Sequence, residues 1–342
     1  MRRTGRLWPR IVSFENFLCA ARRAARGKRH VAGVARFLAD LEPNVLALQR
    51  ELAGGTWRPG CSFQFEIHDP KRRTITAAPF RDRVVHHALM DVLEPILDRR
   101  MVRESFACRR GKGTHAALAH ARRLVRRHRW FLKLDVARCF ESLDHEVVLE
   151  TMARILKDRR VLGLCERIVR AGGREGVGLP IGNLTSQWFA NLVLDRLDHH
   201  VQETLGVRGY VRYMDDFVLF AAEKARLAAA LDDVGRFLNE RLRLRLKERA
   251  TILAPATEGL PFLGWRILRG TTRLRPANLR RTRSRVRHRL GEYRRGEIGE
   301  DQLAAALRSV CEHLRHGNTL SLRRRWFEGL GRARVRGPPG SP

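Results

Sequence analysis

The chain has 342 residues, 44% of them hydrophobic, and 68 Lys and Arg against 36 Asp and Glu, giving a net charge of +32. That length suits about two domains or one multi-part domain with real cores; a charge so far from neutral repels itself unless a polyanion is present, which points to nucleic acid or an anionic membrane surface. Membrane spanning is argued against by the longest uncharged stretch, Gly176 to Leu194, where Pro180, Asn183, Thr185, Ser186, Gln187 and Asn191 are too polar for a bilayer core.

Met1 to Arg6 lacks the apolar region of a secretory signal. The six cysteines, no two closer than 26 residues, offer neither zinc spacing nor a disulfide framework. Both features point to a reduced, cytoplasmic protein whose thiols are mostly structural. The pairs His86-His87 and His199-His200 show no carboxylate or cysteine partner at ligand spacing and read as surface or packing residues.

Residues 1 to about 60 read as a basic helical extension, with Ile11, Phe14 and Phe17 followed by Val34, Phe37, Leu38 and Leu41. The pattern breaks at Trp57 to Gly60. Phe63 to Ile67 alternates as a strand, Asp69-Pro70 turns, and Thr74 to Thr76 returns behind the basic run Lys71-Arg72-Arg73. Cations beside such a ribbon can reach over a triphosphate, and a solvated turn has the same composition. Asp82 to Leu97 is an amphipathic helix with Val84, Val85, Ala88, Leu89, Val92, Leu93 and Ile96 on one broad face. Gly111 to Thr114 looks like a phosphate loop but lacks the full spacing, so Thr114 reads as the cap of the helix carrying Ala117 to Val125. A dense basic patch, Arg122 to Arg129, follows.

Trp130 to Asp135 has buried-strand character and ends in a carboxylate, with the aromatic Phe140 five positions on. Helical spacing runs from Val147 to Val169. Gly178 to Gln187 is a Gly/Pro loop with hydroxyls and amides that feeds a helix, an arrangement open to close approach by a ligand. Leu227 to Leu242 marks another helix and Phe262 to Ile267 a strand. Leu279 to Leu290 and Leu322 to Phe327 are helices with intensely basic faces, and Gly337 to Pro342 reads as a disordered tail.

Between these segments, Gly209 to Phe220 places Asp215 and Asp216 inside a run of aromatic and aliphatic residues with strand composition on both flanks. Adjacent aspartates are ordinary turn chemistry. On a hairpin tip backed by apolar strands they can equally hold hard divalent cations at both ends of a phosphoryl displacement. Asp135 supplies a third carboxylate that ends an apolar strand.

In this order, on a strongly basic chain, the segments resemble a reverse transcriptase from about Lys71 to Phe327. Tyr213-Met214-Asp215-Asp216 matches the family's hallmark box, Phe131 to Asp135 with Phe140 its first catalytic motif, and Gly178 to Gln187 its template- and nucleotide-contacting loop. Arg81 to Val85 and Phe262 to Gly264 match the fingers helix and the strand leading to the thumb. The resemblance implies an α+β, right-hand polymerase fold. Its parts would be an N-terminal extension (1–60), fingers (61–129), a palm with an antiparallel sheet (130–268, with a fingers insertion near 147–180) and a helical thumb (269–336). It implies two Mg²⁺ ions, replaceable by Mn²⁺ in vitro, on Asp135, the Val136 backbone carbonyl, Asp215 and Asp216. Nucleotide contacts would come from Lys71, Arg73, Phe140, Ile181, Gly182 and Gln187, with Phe140 clashing with a ribose 2′-hydroxyl. Template and primer contacts would come from Tyr213, Met214, Arg280, Arg281, Arg285 and Arg287.

Ile181-Gly182 with Ser186-Gln187, where many bacterial relatives have Gln-Gly and Ser-Pro, is similar to the enzymes of diversity-generating retroelements. Those enzymes copy an RNA template, misincorporate opposite adenines and work with a small basic accessory protein in a bacterial or phage-infected cell. The remaining alternatives are a group II intron-like or defence-associated enzyme and a non-catalytic RNA-binding module. One departure is the late palm lysine that could protonate pyrophosphate; that position falls near Ala250, with Lys247 and Arg249 as substitutes. No ribonuclease H, endonuclease or maturase region is expected in the roughly 75 residues after the palm.

Overall fold

The computed structural model describes residues 3–68 and 72–326. Four helices open the chain: α1 (Trp8–Ile11), α2 (Phe14–Ala24), α3 (Ala32–Ala39) and α4 (Leu41–Ala53). Ser13 starts α2 by accepting from the Asn16 N–H at 3.2 Å, satisfying one of the free donors of the first turn. The hairpin of β1 (Phe63–Ile67) and β2 (Arg73–Ala77) pairs Phe65 with Ile75 and Gln64 with Thr76. Then come α5 (Phe80–Asp98), α6 (Thr114–Arg127), β3 (Trp130–Asp135), α7 (Cys139–Ser142), α8 (His145–Ala153), α9 (Arg159–Arg170) and α10 (Leu184–His199). Strands β4 (Gly209–Tyr213) and β5 (Asp216–Ala221) lead to α11 (Lys224–Leu242), β6 (Ile252–Pro255), β7 (Leu260–Phe262), β8 (Trp265–Ile267) and β9 (Thr272–Leu274). The basic helices α12 (Pro276–Arg294) and α13 (Glu300–Arg315) follow, and 320–326 is helical.

The centre is an antiparallel sheet of order β4-β5-β3-β6. Side chains alternate between its faces with period two. Leu132, Leu134, Tyr210, Phe217 and Leu219 turn to one face, where α5, α10 and α11 bury them. Phe131, Val211, Val218 and Phe220 turn to the other, under α6 and the β7-β8-β9 sheet. The alanines of α2 (Ala20, Ala21, Ala24) let it approach α5 closely, so the N-terminal helices share one core with the layer beneath the sheet.

Several sequence expectations change. Thr114 is the first residue of α6 rather than its cap: Gly113 holds the capping position at φ +102, and the Thr114 hydroxyl donates to Tyr213 Oη at 3.2 Å. Phe262 to Ile267 is a tight hairpin, not one strand; Leu263 and Gly264 both take positive φ, and a side chain at Gly264 would meet Asn278. The sequence expectations omit strand β6, whose four residues show no clear alternation, and helix α13, although Leu303, Leu307, Val310 and Leu314 recur at helical spacing. His199 is flanked by Asp195 and Glu203 one turn away on either side, and its bond with Asp195 leads in pushing its pKa up to about 10. All six cysteines are free, and Cys19, Cys61 and Cys108 are exposed. Phe327 and the tail 337–342 lie outside the described residues. Among the described residues no helix is long and apolar enough to cross a membrane.

Candidate active site

The register of the central sheet brings the carboxylates together. Asp135, the last residue of β3, faces Asp216, the first of β5, and Tyr213 of β4 faces Asp216 from the other side. Met214 and Asp215 therefore form a two-residue turn. Met214 takes φ +55, a conformation that costs a non-glycine residue about 1 kcal/mol. The Val136 N–H donates to the Asp215 carbonyl at 3.1 Å and the Lys247 N–H to the Asp135 carbonyl at 2.8 Å, fixing the ends of both strands.

Charge is concentrated here. Burial raises the Asp215 pKa, the neighbouring Asp135 raises it further, and Arg73 and Lys247 act in the opposite sense. Asp216 is pushed up to about 6, first by burial and then by Asp135 and Asp215, against the pull of Lys133. Lys133 shares a face of β3 with Asp135, and its Nζ lies 2.6 Å from Asp216 Oδ1. Lys247 Nζ is 3.7 Å from Asp135 Oδ1. Asp135 and Asp215 form a like-charged pair with all-oxygen donors, the donor set that suits a hard divalent cation. Asp216 is engaged by Lys133, and among the described residues no group of three or more His, Cys, Asp or Glu is arranged to hold a metal.

The loop before α10 lies along β2: the Thr76 N–H donates to the Ile181 carbonyl at 2.9 Å. Gly182 takes φ +116, and a Cβ there would come within 2.8 Å of an Ile75 methyl carbon, so glycine is required for this approach. Ile181 is half-buried and lines a cleft of about 750 Å³ with Gln64, Thr74 and Thr76. Phe140 sits on α7, and its carbonyl accepts from Leu179 at 2.7 Å, which joins the aromatic to this loop. Gln187, in the first turn of α10, accepts from the Cys108 thiol at 3.4 Å. Arg73 is exposed on the hairpin; Lys71 lies outside the described residues.

The four thumb arginines do not share one face. Arg280 and Arg287 are seven residues apart and project together, while Arg281 and Arg285, four apart, form a second row about a third of a turn away. Arg285 lines the groove between α12 and α13.

Three further features carried weaker sequence signals. Lys133 and Arg212 are charges inside otherwise apolar strands, which is itself a signal that each has a partner. Arg212 is 0% exposed and donates to Asp198 through Nε (2.6 Å) and Nη2 (2.5 Å), to Asn191 Oδ1 (2.8 Å) and to the Met214 carbonyl (3.1 Å). Cys108, at φ +57, places its sulfur 4.0 Å from Met214 Sδ, a contact with no sequence pattern behind it.

Residues 67–267, more than half of the chain, match the family model described as reverse transcriptase (RNA-dependent DNA polymerase). The chain belongs to the reverse transcriptase family. It is 24% identical to protein YkfC of Escherichia coli K12 over 321 residues, covering 77% of this chain and 83% of that one. With the group II intron-encoded protein LtrA of Lactococcus lactis it shares 21% identity over 298 residues, covering 66% of this chain and 50% of LtrA. A Candida tropicalis telomerase solved with a fragment of telomeric RNA superposes with a TM-score of 0.50 at 13% identity, covering 74% of this chain and 53% of the telomerase. That likeness concerns the fold: the architecture is the right-hand polymerase fold expected from the motifs. The chain thus spans about half the length of LtrA and of the telomerase.

Proposed function

We propose that this chain copies an RNA template into DNA by nucleotidyl transfer at the Asp135–Asp215 pair. The observation that carries the reading is the pairing of two like-charged, partly buried carboxylates across β3 and the Met214-Asp215 turn. Asp135, Asp215 and the Val136 carbonyl would hold two Mg²⁺ ions, with Mn²⁺ able to replace them in vitro. Bound there, divalent cations supply a more acidic primer 3′-hydroxyl and neutralise charge on the departing pyrophosphate. Asp216, held by Lys133, is the third acidic residue. Lys247, beside Asp135, takes the role of proton donor to pyrophosphate in preference to Arg249.

Around this centre, Lys71 and Arg73 grip the triphosphate. The Phe140 ring excludes a 2′-hydroxyl, and Ile181, Gly182 and Gln187 bound the nucleotide. Tyr213 and Met214 support the primer end, and Arg280, Arg281, Arg285 and Arg287 track the duplex backbone. The division into extension (1–60), fingers (61–129), palm (130–268) and thumb (269–336) belongs to the same reading. Loss of primer extension in Asp135→Ala and Asp215→Ala protein is the expected result; undiminished synthesis would refute the assignment.

The finer reading is the mutagenic enzyme of a diversity-generating retroelement, working in the cytoplasm with a small basic accessory protein. It rests on Ile181 and Gln187: an apolar side chain at 181 removes a polar contact beside the incoming base. Sequencing cDNA from an adenine-containing RNA template tests it, with errors concentrated at adenines expected. Accurate copying, with and without the partner, would favour a group II intron-like enzyme, a reading to which the likeness to LtrA lends support.

A further inference from the structure

Beneath the catalytic turn, on the sheet face opposite the carboxylates, five residues close a ring. Arg212 Nη1 donates to Asn191 Oδ1 at 2.8 Å, and Asn191 Nδ2 donates to the Ala107 carbonyl at 2.9 Å. Ala107 is bonded to Cys108, whose sulfur lies 4.0 Å from Met214 Sδ. The Met214 carbonyl accepts from Arg212 Nη1 at 3.1 Å and completes the circuit. Arg212 and Asn191 are fully buried. The guanidinium is held in place by Asp198, whose Oδ1 also accepts from the Tyr210 hydroxyl at 2.6 Å. The segment before Cys108 is tied to the same strand, through Arg212 N–H to the Glu104 carbonyl at 2.9 Å and Phe106 N–H to the Arg212 carbonyl at 3.0 Å.

Two elements of the site hang on this ring. Met214 is the strained residue that presents Asp215, and Cys108 donates to Gln187 in the nucleotide loop. Buried, the Arg212 guanidinium needs an acceptor for each N–H, and the Met214 carbonyl is one of those it takes, which ties the turn to the core. Planar, forked donors do what an apolar core cannot: they fix several acceptors at set angles.

We propose that the Arg212–Asn191–Ala107–Cys108–Met214 ring is a positioning device that sets Gln187 relative to Asp215, coupling nucleotide selection to metal binding. The inference rests on the reading of Asp135 and Asp215 given above. Outer residues that orient ligands typically change metal affinity by about 10–100-fold.

The test compares Asn191→Leu, which cuts two links, with Tyr210→Phe, which removes a bond to Asp198 outside the ring. Mn²⁺ binding is followed by electron paramagnetic resonance without catalysis, together with dNTP KM, misincorporation and the unfolding midpoint. Asn191→Leu should bind Mn²⁺ about tenfold more weakly and raise both dNTP KM and misincorporation. Tyr210→Phe should move the midpoint alone. Equal behaviour of the two variants, with lowered midpoints and unchanged Mn²⁺ affinity, KM and error rate, would overturn the proposal. If Asn191→Leu does not fold, Cys108→Ala opens the ring at its exposed side: weaker Mn²⁺ binding, which the lost Gln187 contact alone would not produce, supports the ring, and unchanged Mn²⁺ affinity removes it. Wild-type and Asp215→Ala protein run alongside, so absent primer extension by the wild type counts against the polymerase reading, while the Mn²⁺ comparison still decides the ring.

Discussion

Replacing Lys133 with Met measures how the Met214–Asp215 turn and its neighbour Asp216 carry their charge. Lys133 is 9% exposed with Nζ 2.6 Å from Asp216 Oδ1, so the variant leaves that carboxylate beside Asp135 and Asp215 without its cation. Removing one partner of a buried pair ordinarily costs about 3–5 kcal/mol. Here protonation caps the loss. Asp216 stands at about 6 even with Lys133 present, so at pH 7 its ionised form is favoured by only about 1.4 kcal/mol. The variant can hold Asp216 protonated, and its charge-related loss is therefore about 1.4 kcal/mol at pH 7, rising to about 4 kcal/mol at pH 9. Exchanging a buried ammonium for a thioether adds an offset independent of pH over this range.

The sign follows from the direction of the shift. The folded-state value lies above the usual 3.8, so Asp216 by itself takes stability from the metal-free wild type between about pH 4 and 6 and adds no further slope above that. The variant goes on losing stability above pH 6. Urea unfolding in EDTA from pH 6 to 9 should give curves that diverge by about 1.4 kcal/mol per pH unit. Parallel curves would refute the claim that Lys133 sustains the Asp216 charge.

Phe140→Ala should raise the kcat/KM for ribonucleotides relative to deoxynucleotides by about 10–100-fold, measured in single-nucleotide extension, if the ring is the 2′-hydroxyl barrier. Changing Arg280 and Arg287 together to Gln should make the log–log salt dependence of template–primer binding shallower by about two, one unit per lost phosphate contact; an unchanged slope would place the duplex elsewhere. Burial lowers His86 to about 4, so the folded state keeps it neutral while the unfolded chain protonates near 6.5. This group alone should remove about 3 kcal/mol as pH drops from 6.5 to 4, opposite in sign to Asp216, so the stability of His86→Leu relative to wild type should rise by that amount over the range.

The sequence was most legible where pattern and chemistry coincide. Apolar strands interrupted by Asp135, Asp215 and Asp216 announced both the central sheet and its carboxylates, because period two and the cost of a buried charge leave few other readings. Gly182 was marked as a loop residue, but its reason, an Ile75 methyl from an element a hundred residues away, lay beyond any local pattern. β6 was missed because its four residues, Ile252–Pro255, gain strand character only by pairing with β3. The circuit through Ala107 and Cys108 depends on a backbone carbonyl and a positive φ, which no residue type encodes. Arg212 could have been read: a guanidinium between Val211 and Tyr213 at an inward strand position requires a carboxylate, although not specifically Asp198.

The pleat gives this division of labour a physical basis. Alternation sends Asp135, Asp216 and Lys133 to one face of the sheet and Arg212 with Tyr210 to the other, within a hairpin only a few residues long. Below the sheet, Asp198 balances Arg212. Above it, Lys133, Lys247 and Arg73 act on three carboxylates crowded together in a chain whose net charge is +32. A nucleic-acid backbone is attracted by the surrounding arginines and repelled at the carboxylates themselves. A divalent cation bound there, as proposed above, would resolve that conflict, since it would satisfy the aspartates and turn the same point attractive to phosphate. On the proposed reading, the site would tolerate this crowding until metal and nucleotide bind, and the Arg212–Asp198 pair below the sheet would keep the turn in place meanwhile.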